Sequence, residues 1–289
     1  AFLLIRFVAG IASAFMMIFL STIIFSQLAR TQQAGLQSLH FGGVGLGITV
    51  SALVTGAVFV LGLGWQMNWF AAAGVSAIAF MAVVWLMGVD DYAPPSQSRR
   101  EPPLVWNPAL AKITLAYAIF GAGYIVTATF LIAIVRQSDG GFVVESGVWL
   151  AAGLAGAPSV WLWSLVARRL GLAAAFGIGC VVEAVGVVAS VSIGGYGAQL
   201  LAGALLGGTF IAVTAMGLQI GRAVAGDAPR RALAIMTAAF GVGQITGPLL
   251  AGIAADLTGS FFAPSIGAAV ALMIAGLVGL QASNRPSDQ

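Results

Sequence analysis

The sequence is short of almost everything that soluble chemistry uses. Only 7% of its 289 residues are charged, 12 basic and 9 acidic, whereas soluble domains carry about 25%. That deficit excludes a water-soluble fold, a disordered chain and a nucleic-acid binder, each of which needs exposed polarity or basic clusters. The one cysteine, Cys180, rules out an internal disulfide and a cysteine-rich metal site. The one histidine, His40, rules out a paired-histidine zinc motif. The one lysine, Lys112, follows Ala111, so no GxxxxGK[ST] phosphate loop exists and the chain is not its own ATP motor. Paired acids, HExxH and GxSxG are missing too, which leaves an intramembrane enzyme built on Glu183 or His40 without a recognisable constellation. Recurring GxG pairs follow no strand, so they are not dinucleotide sites. Nothing calls for a cofactor or a metal.

What is present is apolar. Hydrophobic residues make up 60% of the chain and the mean hydropathy is +1.02. The apolar runs reach about 20 residues, the length of a spanning helix, rather than the roughly 10-residue alternating segments of a barrel. Nine runs qualify, at roughly 1–28, 36–62, 66–88, 109–135, 146–167, 172–193, 197–221, 231–255 and 261–282. The expected fold class is an all-α polytopic membrane protein with nine transmembrane helices.

Cation placement orients them. The loops after the first, third, fifth and seventh helices and the C-terminal tail carry Arg30, Arg99, Arg100, Lys112, Arg168, Arg169, Arg222, Arg230, Arg231 and Arg285; the other side carries Arg136. The positive-inside rule makes the first side, with the C-terminus, cytoplasmic. Trp65, Trp69 and Trp149 then fall at the outer interface and Trp85 near the inner one. The longest loop, 89–108, runs from Asp90-Asp91 through Pro94-Pro95, Arg99-Arg100 and Pro102-Pro103. Its proline and charge mark an extended cytoplasmic linker, with three helices before it and six after.

A shift of 198 residues lays Gly10 on Gly208, Ala14 on Ala212, and Gly43-Val44-Gly45 on Gly241-Val242-Gly243. The first two helices thus echo the seventh and eighth. Parallel repeats across a central linker are a carrier architecture. The repeat implies a twelve-helix parent. Residues 1–88 are then the second half of an N-terminal six-helix bundle, 89–108 the linker, and 109–289 a complete C-terminal bundle. The start inside an apolar run, Ala1-Phe2-Leu3-Leu4, reads as a cut.

These features resemble helices four to twelve of the major facilitator superfamily. Arg6-Phe7-Val8-Ala9-Gly10, followed by small residues, resembles its fourth-helix RxxxG motif. Gly243-Gln244-Ile245-Thr246-Gly247-Pro248 is similar to its glycine–proline motif. Ala167-Arg168-Arg169-Leu170-Gly171 resembles its cytoplasmic DRxG loop, departing by Arg168 where an aspartate is usual. The stretch from Phe120-Gly121-Ala122-Gly123-Tyr124 to Leu131, with Ala255-Asp256-Leu257-Thr258-Gly259-Ser260, is similar to the YbfB/YjiJ-type branch. The resemblance implies a secondary active transporter that moves a small solute by alternating access, coupled to protons. It implies a bacterial inner membrane, a lipid bilayer, a solute and a proton or other ion as partners, a monomer, and no enzyme activity. A non-transporting assembly or sensor subunit is the alternative.

Candidate residues follow. Arg6 lies within a span, where a charge costs about 2.5–3.5 kcal/mol on insertion scales and therefore faces protein or water. With Gly10, Ser13 and Met17 it shares one helical face. It is expected to contact an anion or bias a nearby acid; the alternative is snorkelling to the outer surface. Glu183 at mid-helix is a candidate for proton binding and release, or else a neutral acid bonded between helices. Polar stripes suggest a solute path: His40, Val44, Gly47, Ser51 and Thr55; Tyr117, Gly121 and Tyr124; Thr209, Ala212, Met216 and Gln219; Thr237, Gly241, Gln244 and Pro248. Of these, Tyr117, Tyr124, Gln219 and Gln244, with Arg6 and Glu183, form the expected pathway. Gly10, Pro158, Gly243, Gly247 and Pro248 are expected in hinges or helix packing. Arg168, Arg169 and Gly171 form the expected gating loop. Gly203xxxGly207, Gly217xxxGly221 and Gly243xxxGly247 allow close backbone approach.

Overall fold

The structure, a computed structural model, describes residues 2–32, 37–87, 101–137 and 141–282. Most of the expected linker, including Asp90, Asp91, Arg99 and Arg100, lies outside the described residues, as do Arg285 and the side chains of Met17 and Arg30. Among the described residues there are nine helices and no strand: α1 (Phe2–Arg30), α2 (Gln37–Val60), α3 (Trp65–Met87), α4 (Pro108–Gln137), α5 (Gly141–Leu170), α6 (Leu172–Ser192), α7 (Tyr196–Val224), α8 (Pro229–Thr258) and α9 (Phe262–Leu280). Eight of them are long and apolar enough to cross a membrane, and the described apolar stretch of α1 covers Phe2–Met16. Helices close every interior backbone hydrogen bond within themselves, which hydrocarbon demands. The ends of the molecule are called the linker end, where α4 begins, and the far end, where it finishes.

The helices run past the apolar windows that reveal them. α5 begins at Gly141 rather than near 146 and continues to Leu170. Arg168 and Arg169 therefore occupy its last turn, not a loop, and their charge complements the helix C-terminus. Gly171 alone joins α5 to α6, at φ +86°, a left-handed conformation that glycine adopts without steric cost. At the linker end the Asn107 side-chain oxygen, Oδ1, accepts the Leu110 N–H at 2.8 Å and caps α4, while the side-chain Nδ2 donates to the Val224 carbonyl at 2.8 Å. The Glu101 carboxylate accepts the N–H groups of Arg230 and Arg231 at the start of α8. Residues 101–107 thus tie the entrances of α4 and α8 to the end of α7.

α4 packs on α8 and α9, α6 on α7 and α9, and α5 on α7. This six-helix body holds the core: Leu110, Ile113, Phe120, Phe176, Met236 and Leu272 are fully buried. α2 docks on α5, and α1 and α3 touch α2 only lightly. Small residues make that docking possible, because apolar faces gain little from leaving lipid and association rests on close packing. A Cβ at Gly42 would fall 2.8 Å from the Ala157 carbonyl oxygen, and one at Gly45 would fall 2.7 Å from the Ala157 Cα. Gly153 of α5 returns the favour, since a Cβ there would lie 2.8 Å from the Thr49 Cα.

Candidate solute path

Tyr117, Gly121 and Tyr124 share a face of α4, and that face meets α8. Gly121 leaves room for a ring: a Cβ there would lie 2.9 Å from the Phe240 ring and 2.7 Å from its carbonyl oxygen. Phe240 stacks on Tyr117 at 4.7 Å and on Tyr124 at 5.6 Å between centroids. Tyr124 also stacks on Phe210 of α7 at 5.8 Å. Gln244, one turn beyond Phe240, donates its amide N–H to the Tyr124 hydroxyl. Three expected pathway residues, Tyr117, Tyr124 and Gln244, therefore meet at one place. The ring that joins them, Phe240, was not singled out from the sequence. The glycine between two tyrosines was the available signal, because a gap at helical spacing makes a slot for a partner side chain.

Glu183 lies elsewhere, between α6 and α7, and is 1% exposed. The Thr209 hydroxyl is 3.0 Å from Glu183 Oε2, 2.6 Å from the Leu205 carbonyl oxygen and 3.2 Å from that of Leu206. Among the described residues Glu183 Oε1 has no hydrogen-bond partner. Thr209 and Met216, read as part of a path-lining stripe, are buried, and Thr209 is spent on Glu183. Gln219, on the same helix, is exposed. Arg6 is exposed on α1, its guanidinium 5.6 Å from the Trp69 ring of α3 and 5.9 Å from the Phe2 ring. The structure brings neither Arg6 nor Gln219 to the α4–α8 cluster. Among the described residues no three metal-ligating side chains gather.

The packing glycines sort into contacts and open positions. Cβ atoms at Gly243 and Gly247 would overlap the backbone of Ala118 and Ala122 on α4. Those at Gly203 and Gly207 would overlap Val148 and Ala152 on α5, and those at Gly217 and Gly221 would meet Tyr117 and Met236. All three small-xxx-small patterns pack within the chain. Among the described residues nothing lies within 4 Å of a Cβ placed at Gly10. Pro158 and Pro248 both sit inside continuous helices, α5 and α8.

A cavity of about 630 Å³ lies toward the far end, between α2, α4 and α5. From α2 it takes Val44, Gly47, Ser51 and Thr55, which is the stripe expected from the sequence apart from His40. Ile132 and Arg136 come from α4, and Phe142, Glu145, Ser146 and Trp149 from α5. Arg136 and Glu145 are bonded twice, Nε to Oε1 at 2.8 Å and Nη2 to Oε2 at 2.9 Å. Phe59 stacks on Phe142 at 3.7 Å, joining α2 to α5 beside the cavity. Its volume suits a small organic molecule, and its walls are mostly apolar with a few polar groups. None of the six expected pathway residues lines it. α2 and α5 thus touch backbone to backbone around Gly45 and Gly153, and farther along enclose a space.

No individually curated protein matches the chain. A family described as "uncharacterised MFS-type transporter YbfB" matches residues 1–280. With helices long and apolar enough to span a bilayer, the chain belongs to this family of major facilitator superfamily transporters, integral membrane proteins that move solutes and are not enzymes.

Proposed function

We propose that the protein is a secondary carrier that moves a small organic solute by alternating access, coupled to protons. The observation that carries this reading is the cavity at the joint of α2 with α4 and α5. α2 comes from before the linker, and its partners come from after it. Rocking about the glycine contact at Gly42, Gly45 and Gly153 would open and close such a space. Tyr124, Tyr117 and Gln244 supply hydrogen-bonding groups on an aromatic wall, and Gln219 and Arg6, exposed on α7 and α1 away from that wall, are separate proposed contacts for the solute. Gly243 and Gly247 act in packing, Gly10, Pro158 and Pro248 in hinging, and Arg168, Arg169 and Gly171 in closing the linker end.

Glu183 is the proposed proton carrier. The Thr209 hydroxyl has one proton and three acceptors within reach. If Thr209 donates to the nearer Leu205 carbonyl, a proton on Glu183 completes the second bond. This arrangement supports a carboxyl that binds and releases a proton. The cation bias of the loops supports a cytoplasmic linker end and C-terminus in a bacterial inner membrane. The small-residue patterns, all used internally, support a monomer.

The test is solute-dependent proton flux. The full-length protein is reconstituted into sealed vesicles holding a pH-sensitive dye and challenged with a panel of small solutes under imposed pH gradients. Acidification or alkalinisation driven by at least one solute is expected. No flux in any gradient would sink the proton-coupled reading. Tyr124→Phe separates a carrier from an assembly subunit: a carrier loses flux while still inserting, whereas an assembly subunit, with no flux to lose, loses its partners.

A further inference from the structure

We infer that the cavity between α2, α4 and α5 is a binding site for an amphipathic organic cation, an ammonium group on an apolar or aromatic body. The inference rests on the carrier reading and adds the charge and shape of its solute.

The Arg136–Glu145 pair is asymmetric. Both residues line the cavity, and among the described residues they are the charged groups in its wall. The Arg136 side chain is 68% exposed, and that of Glu145 only 15%. An exposed guanidinium that leaves its partner is caught by water at little cost, since surface ion pairs contribute little. A carboxylate at low exposure that loses its partner is left charged and poorly solvated, which is the expensive half of breaking such a pair. An incoming anion that takes Arg136 leaves Glu145 in that state. An incoming cation that takes Glu145 replaces Arg136 and keeps the carboxylate paired throughout. The exchange therefore favours a positive ligand.

The remaining wall fits the rest of such a molecule. Phe142 and Trp149 flank Glu145 along α5, and Trp149 lies one turn from it. Aromatic faces attract ammonium groups and accept flat apolar bodies. Val44, Ile48, Ala52 and Ile132 form an apolar floor, and the Ser51 and Thr55 hydroxyls offer acceptors for further ammonium protons. A space of about 630 Å³ holds one molecule of this kind. Arg136 then acts as a tethered stand-in that occupies the cation position until a solute arrives.

The experiment uses two fluorescent probes with one ring system and opposite charge, dansylcadaverine as the cation and dansylglycine as the anion, titrated into the detergent-solubilised protein. The cation is expected to bind more tightly than the anion. Glu145→Gln should weaken cation binding at least tenfold. Arg136→Gln should strengthen it, because the internal competitor is gone. A pair that only holds the fold would shift both variants the same way. Equal loss in the two variants, or preference for dansylglycine, would overturn the proposal. Circular dichroism of both variants confirms that they are folded. Phenethylammonium and lysophosphatidylethanolamine serve as competitors: displacement by the first marks a soluble solute, and displacement by the second alone a lipid headgroup. The expected binding pattern without flux would remove the carrier reading and leave the site. Flux with the reversed pattern would remove the cation assignment and leave the carrier.

Discussion

Replacing Gly45 with valine should push α2 off α5. A Cβ at this position would lie 2.7 Å from the Ala157 Cα and overlap the backbone of Gly156 and Ala157. These are backbone atoms of a helix, so no rotamer change relieves the overlap. Carbon–carbon contact is comfortable at about 3.5–4.0 Å, so α2 must retreat by about 1 Å. Retreat weakens the whole docked face, and overpacking of this kind costs about 1–3 kcal/mol. At about 2 kcal/mol the docking equilibrium shifts more than tenfold. Gly43 gives the control on the same helix, because among the described residues a Cβ there meets nothing within 4 Å. Gly43→Val should stay within about 0.5 kcal/mol of wild type, as open positions do. The assay is reversible unfolding in mixed detergent micelles, followed by intrinsic fluorescence, with flux measured in parallel. Equal stability of the two variants would refute the close α2–α5 contact and the rocking built on it.

Tyr124→Phe removes the hydroxyl that accepts the Gln244 amide and keeps the stack with Phe210 and Phe240; stability should fall by about 0.6 kcal/mol, and flux should fall with unchanged membrane insertion. Glu183→Gln keeps a group able to bond Thr209 but cannot release a proton, so the variant should fold and its residual flux should no longer respond to an imposed pH gradient. Glu101→Ala frees the N–H groups of Arg230 and Arg231; hydrogen exchange should speed up across the first turn of α8, consistent with a lost cap worth about 0.5–2 kcal/mol, while exchange at the Gly259 end stays as it was.

The spans were legible because hydrocarbon imposes one length and one composition on every helix. Their ends were not. Glu145 and the Arg168–Arg169 pair lower the local hydropathy, yet the α5 backbone stays helical through both. Glycine spacing announced close approach at Gly203, Gly207, Gly243 and Gly247, but spacing within one helix carries no record of the partner. That α2 meets α5 is a long-range fact with no local trace. The α4 face was legible as well, since Tyr117 and Tyr124 recur at helical spacing. Its partner Phe240 was one phenylalanine among the 17 in the chain. Arg136 and Glu145 are separated by the break between α4 and α5, so no periodic pattern joins them. The cavity they line follows from how three helices pack, and the stripe on α2 pointed toward it without naming the other two walls.

The most direct test of a solute path through the α2–α4–α5 cavity is flux through a Ser146→Cys variant. Ser146 lines that cavity, and Cys180, the chain's one native cysteine, is buried. Solute-dependent proton flux is measured in sealed vesicles before and after modification with a bulky, membrane-impermeant thiol reagent. Modification should abolish flux in the variant and spare the wild type, and an excess of transported solute should slow the modification. Full modification with undiminished flux would contradict the account.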